Sequence, residues 1–210
     1  MEEQHRTVAR EGRHEIEVRK SRFITTLAPA ATEEDAQAVI RRIGTQHADA
    51  THNCFAYVIG AGGAVQKSSD DGEPGGTAGV PMLQMLLRRD LRDVVAVVTR
   101  YFGGVKLGAG GLVRAYGGAV GQALDALGTV TLRRFRLATI TVDHQRAGRL
   151  ENDLRAAGRA VHAVRYTAER VEIDVGVPEN ETGEFRAWLA DNTAGSAGLA
   201  LQDVYVSEIG

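Results

Sequence analysis

Apolar residues recur in this chain with two periods, and the places where the period changes divide it into elements. Glu15–Leu27 alternates like a strand, with a break near Ser21 that suggests two strands. From Thr32 to Gln46 the spacing is helical, with Ala36, Val39, Ile40 and Ile43 on one stripe. Thr32 is placed to cap this helix, with Asp35 three residues on, and Gly44 is expected to end it. Alternation returns in Ala50–Gly60, where His52, Cys54, Ala56 and Val58 share one face and Asn53, Phe55, Tyr57 and Ile59 the other. The glycines at 60, 62 and 63 predict a hairpin into Ala64–Ser69. A short helix is expected to start near Pro81, with Met82, Leu83, Leu86 and Leu87 inward.

Val94–Val98 is apolar without interruption, as in a strand covered on both faces. A long helix follows from about Gly108 to Leu127, with Leu112, Tyr116, Ala119, Ala123 and Leu127 as its stripe. Gly117, Gly118 and Gly121 fall inside it, each costing about 1 kcal/mol relative to alanine. That cost predicts close approach of another backbone. The last third reads as strand to Val142, helix with Ala147, Leu150, Leu154 and Ala157, strand 160–166, strand with Val171, Ile173, Val175 and Val177, helix with Phe185, Trp188 and Leu189, and strand 199–206. This βαββαβ order is that of a ferredoxin-like unit, with a domain boundary between Gly128 and Arg134.

Composition narrows the classes. The 210 residues, 43% hydrophobic and 25% charged, have a globular profile. No apolar run nears the roughly 20 residues of a membrane span, so no membrane partner is expected. A charged N-terminus without an apolar signal segment and one cysteine, Cys54, point to a cytoplasmic location. A net charge of −2 argues against a broad basic face of the kind that binds duplex DNA tightly but leaves room for a local patch. Only three of the 25 basic residues are lysine: Lys20, Lys67 and Lys106. Each lies beside unusual sequence, and we expect them either to converge on one anion site or to be ordinary solvated lysines.

Two glycine-rich stretches carry the candidate chemistry. In SSDDGEPGGTAGVP (68–81), Asp70, Asp71 and Glu73 form the candidate wall of a cleft. Their spacing fails a calcium loop, and carboxylates just before a helix are also favoured by its dipole. In RYFGGVKLGAGGLVR (100–114), strand, glycines and helix resemble an anion-binding layout, with Arg100, Gly103, Gly104, Lys106, Gly108, Gly110, Gly111 and Arg114 as candidates alongside Lys20, Arg22 and Lys67. No lysine-serine or lysine-threonine pair ends the string as in a nucleotide-binding P-loop, and the dinucleotide fingerprint is incomplete. No metal-ligand spacing, catalytic constellation or cofactor motif emerges among His5, His14, His47, His52, His144, His162 and Cys54.

KSRFITTLAP, ATHNCFAYVIG, SSDDGEPGGTAGVPML and VVAVVTRYFGGVKLGAGGLVRAYGGAV together resemble the YigZ/IMPACT family, strongly over Lys20–Val120. The resemblance implies an α+β chain. Its first domain, 1–131, would have a ribosomal protein S5 domain 2-like fold. Its second, 132–210, would be ferredoxin-like, the pair being similar to domains IV and V of elongation factor G. The extra N-terminal domain of eukaryotic members has no counterpart here, so its partner interaction is not carried over. The resemblance points to RNA or the ribosome as partner and to a non-enzymatic regulator of translation. A small-molecule kinase-like enzyme on the glycine loops, or a protein–protein adaptor on the ferredoxin-like sheet, are the alternatives, because fold alone does not fix function.

Overall fold

The computed structural model describes residues 4–209, without the side chains of 61 and 203–209. It is an α+β chain of two compact units, one ending at Thr131 and the other spanning Leu132–Ile209.

The first unit opens with a short strand, β1 (Gln4–Thr7). The strands β2 (Gly12–Val18) and β3 (Ser21–Pro29) then form a hairpin in which Val18 faces Ser21. The break near Ser21 is therefore a two-residue turn, with Arg19 and Lys20 at φ of 47° and 68°. Positive φ at both positions matches the right-handed twist of the flanking strands. In α1 (Glu33–Gln46), Thr32 accepts from the Asp35 amide and Asp35 accepts from the Thr32 amide, a reciprocal capping box. Gly44 does not end the helix; it lies inside, and His47 is the cap. β4 (His52–Ile59) pairs antiparallel with β5 (Val65–Ser69) across a short 3₁₀ turn at 61–63. The chain continues through α2 (Gly79–Arg88), β6 (Val94–Tyr101) and α3 (Ala109–Leu127).

The sheet order is β2-β3-β6-β4-β5, and β6 pairs antiparallel with both neighbours. That central place explains the unbroken apolar run. Val94, Ala96 and Val98 pack into one core with Met82 and Leu86 of α2 and with Tyr116 and Val120 of α3. Val95 and Val97 pack into a second core with Ala36 and Ile43 of α1. Leu87, expected inward, is 41% exposed, and Leu127 is 39% exposed. A Cβ at Gly117 would lie 3.5 Å from the Pro81 carbonyl, and one at Gly121 3.3 Å from Met85, so two of the three helical glycines face α2. Gly118 faces open space.

In the second unit, β7 (Val130–Val142), which starts at the boundary, α4 (His144–Ala156), β8 (Ala160–Tyr166), β9 (Val171–Pro178), α5 (Thr182–Thr193) and β10 (Gly198–Ile209) give the βαββαβ order. The strands run β8-β9-β7-β10, as in a ferredoxin-like sheet. Ile140, Ile173, Val175, Leu150, Leu154 and Phe185 fill its core. Ala157, expected on the α4 stripe, is exposed because the helix stops one residue earlier.

Gly103 is the tightest point of the first unit. A Cβ there would sit 1.9 Å from the carbonyl oxygen of Lys20, inside the backbone of the β2–β3 turn. Gly103→Ala is therefore expected to lower stability by about 3 kcal/mol through overpacking. Gly118→Ala, which adds a methyl to open space, should be neutral or stabilising by up to about 1 kcal/mol. Denaturant titration of both variants checks the contrast, and equal effects would contradict it.

Candidate functional site

The acidic loop between β5 and α2 is folded by its own carboxylates. Asp70 accepts from the amides of Gly76, Ala78 and Gly79 at 2.7–2.9 Å, closing the loop and capping the start of α2. Burial pushes the Asp70 carboxyl up, but the three amide bonds more than offset this and hold it below its usual range. Asp71 accepts from the Asn53 amide at 2.6 Å, at a backbone φ of 42°. Its carbonyl faces His52 Nδ1 at 2.7 Å. A carbonyl can only accept, so His52 carries its proton on Nδ1.

Glu73 is the loop's buried carboxylate, 7% exposed. Its Oε1 accepts from Arg100 Nη1 at 2.6 Å and from the Tyr116 hydroxyl at 2.7 Å. His52 Nε2 lies 3.8 Å from its Oε2. One carboxylate thus joins the loop to the central strand and to α3. Arg100 is itself only 5% exposed and lies over the rings of Phe23 and Phe102, with its guanidinium carbon 5.4 and 5.5 Å from their centroids. Beside this cluster, Cys54 donates to the Asp70 carbonyl at 3.0 Å. Burial pushes the Cys54 thiol up to about 12. Burial, then contact with Cys54 and Glu73, raises the Tyr116 hydroxyl well above its usual range.

A cleft of about 390 Å³ opens over this cluster. His52, Glu73, Pro74 and Arg100 line one side, and Phe102 and the Lys106–Ala109 segment line another. Gly108, at φ 72°, precedes the first turn of α3 and leaves it without a side-chain cap or an acidic residue. A second hollow of about 270 Å³ lies across Leu107, between β2 and α3, with Arg19 and Arg114 on its wall.

The structure brings some of the expected residues together and separates others. Arg100, Lys106, Gly108 and Glu73 share the cleft; Gly111 and Arg114 line the adjoining hollow. Lys20 sits at the hairpin turn against Gly103. The three lysines do not converge. Lys67 pairs opposite Tyr57 on the edge strand β5, whereas Lys20 lies at the far end of β3. The offset is three strands and eight residues, roughly 14 Å across and 26 Å along the sheet. An exposed lysine on an edge strand has a simpler role, discouraging another strand from pairing there. Arg22 points to Glu15 at 2.8 Å and takes part in an ion pair on the sheet surface. Arg100, expected to meet a ligand phosphate, spends its charge on Glu73. Asp70 and Asp71 do not line the cleft; backbone amides take both carboxylates. Among the described residues no cluster of three or more histidine, cysteine, aspartate or glutamate side chains could hold a metal. Sequence reasoning missed Phe102 and Arg19. The apolar residue beside a glycine pair and the neighbour of Lys20 were the available signals.

Two outcomes follow from the buried cluster. Glu73→Ala leaves the Arg100 guanidinium buried without its carboxylate and should cost about 3–5 kcal/mol, read by denaturant titration; a loss under 1 kcal/mol would contradict the arrangement. Cys54 should resist thiol reagents at neutral pH in the native protein and react once unfolded. Its folded thiol ionises above its unfolded value. Its contribution is therefore fully present below about pH 8.5 and is lost as pH rises toward about 12. Cys54→Ala should remove that alkaline loss.

Comparison with known proteins agrees with this architecture. Residues 19–124 match the Impact N-terminal domain, and residues 140–196 match a domain of unknown function, DUF1949. The IMPACT family member YvyE of Bacillus subtilis (strain 168) is 48% identical over 193 residues, 92% of this chain and 88% of that one. The IMPACT family member YigZ of Escherichia coli (strain K12) is 43% identical over 188 residues, 87% of this chain and 90% of its own. A crystal structure described as that of a hypothetical protein, 38% identical, aligns with a TM-score of 0.64 over 97% of this chain and 99% of the other. With its first domain matched from Arg19 to Leu124 and close relatives along most of its length, the chain belongs to the IMPACT family.

Proposed function

We propose that the first unit binds single-stranded RNA at the cleft and that the protein acts by association with RNA or the ribosome, as a regulator of translation, and not by catalysis. The observation that carries this reading is Phe102. Its ring leans on the Arg100 guanidinium at 5.5 Å, yet the residue is 48% exposed at the rim of the cleft. A supported, half-open aromatic ring is a stacking platform for a base, and such stacking contributes about 1–3 kcal/mol per base. Beside it, Lys106 and the uncapped amides at the start of α3 suit a phosphate. Contacts of this kind position a strand without reading its sequence.

A second reading, a small phosphate-bearing ligand, is favoured by the cleft's size, which lies within the range of ordinary ligand pockets. A catalytic version of it would rest on His52, because Glu73 is committed to Arg100 and Tyr116. With its proton on Nδ1 toward the Asp71 carbonyl, His52 keeps an unprotonated Nε2 at the cleft, 3.8 Å from Glu73 Oε2.

Fluorescence anisotropy with a labelled oligouridylate tests the proposal. Binding should be measurable at low salt and fall steeply as salt rises. Phe102→Ala should weaken it about 5- to 100-fold, and Lys106→Glu should weaken it and flatten the salt dependence. Absence of binding at low salt, or binding indifferent to both substitutions, would refute it. A nucleoside monophosphate that matches the oligonucleotide in affinity would favour the small-ligand reading.

A further inference from the structure

The hollow across Leu107 has a composition that the cleft alone does not explain. Ile16, Val18 and Leu107 supply apolar surface, and Arg19 and Arg114 supply two guanidinium groups. Among the described residues neither arginine has an acidic partner. Arg114 does not reach away from the helix start. Its Nη1 lies 3.6 Å from where a Cβ of residue 110 would be, so the guanidinium folds back along the first turn of α3. Arg19 comes from the hairpin on the other side, held at φ 47°. Gly111 and Gly118 keep the hollow open, and a Cβ at Gly118 would meet nothing within 4 Å.

Leu107 lines both hollows. One side chain separates Lys106 and the Gly108 turn from the paired arginines. Positions 108 and 111 are roughly 4.5 Å apart along the helix axis. Two adjacent pockets, each with apolar surface and its own cation, match a ligand that repeats both features.

Resting on the reading of the cleft as an RNA site, we infer that the site has two subsites and takes a chain of at least two linked nucleotides. The strand crosses Leu107, and its second phosphate lies between Arg19 and Arg114. The recognised ligand is an oligonucleotide and not a mononucleotide. The arginines set the length of strand bound, while Phe102 and Lys106 hold the first nucleotide.

The test uses the full chain with labelled oligouridylates of increasing length, uridine monophosphate as the single-unit probe and poly-aspartate as an acidic polypeptide. Wild-type affinity should rise at least 10-fold between uridine monophosphate and the tetranucleotide. Arg114→Gln, on exposed helix surface, and Arg19→Asn, which tolerates the positive φ, should together remove that gain. They should leave monophosphate binding within twofold. The slope of log affinity against log salt should fall by about 0.7, the value for one phosphate neutralised on a single strand. A tetranucleotide that still needs Phe102 and Lys106 but ignores both arginines overturns the second subsite and leaves the first. Equal affinity for uridine monophosphate and tetranucleotide, or displacement of the tetranucleotide by an equal charge concentration of poly-aspartate, overturns it as well. Absence of any oligonucleotide binding at low salt overturns both readings together.

Discussion

One buried carboxylate organises the first unit. Glu73 comes from a loop, Arg100 from the central strand and Tyr116 from the long helix, and they meet at 2.6 and 2.7 Å. Removing two charges from water costs several kcal/mol per ion, and the attraction recovers that cost only with good geometry and satisfied neighbours. The second bond from Tyr116 and the rings of Phe23 and Phe102 around Arg100 supply part of that setting, while Arg100 Nε stays buried without a hydrogen-bond partner. We attribute to the pair a role in specifying position more than in adding net stability. It fixes Pro74 on one side of the cleft and Phe102 on another. A hydrophobic pair of equal volume could fill the space but would not dictate where the loop sits.

Backbone proximity is the second constraint. Gly103 touches the Lys20 carbonyl, and a Cβ at Gly79 would lie 2.7 Å from the Ser69 amide nitrogen. These contacts draw the β2–β3 turn toward the β6–α3 loop, and the start of α2 against β5. The glycines therefore shape the cleft as much as they permit approach of a ligand. Gly108 does something different. Its φ of 72° lets the chain turn into α3 with no side chain over the first amides.

Elements governed by local rules were legible in the sequence. The Thr32–Asp35 box, the Val94–Val98 run and the βαββαβ order of the second unit appear as the periodicity implies. The candidate site was less legible, because its key facts are long-range. Nothing local marks Glu73 as buried, since isolated carboxylates belong to the surface by default; its partners stand 27 and 43 residues away. The rarity of lysine suggested a shared site, but pairing register placed Lys67 on an edge strand far from Lys20. Adjacent turn residues diverge, so the hairpin brings Arg19, not Lys20, into the hollow beside α3.

Charge accounting explains how a chain of net charge −2 can offer a positive site. In the second unit Arg133 and Arg159 share Glu181, Arg134 meets Glu179, Arg155 meets Glu151, and Arg165 meets Asp174 and Glu172. Their fields largely cancel within a few ångströms. Around the amino end of α3 the acids are spent differently. Asp70 and Asp71 are bound to backbone amides and Glu73 is buried against Arg100, so none of them faces Lys106, Arg19 or Arg114 as an ion-pair partner. Exposed charges act over about 10 Å at moderate salt, so the local pattern outweighs the net value at this scale. A modest local patch of this kind favours contacts that salt readily weakens. It suits a protein that must hold a flexible strand briefly better than one that grips duplex nucleic acid over a broad basic face.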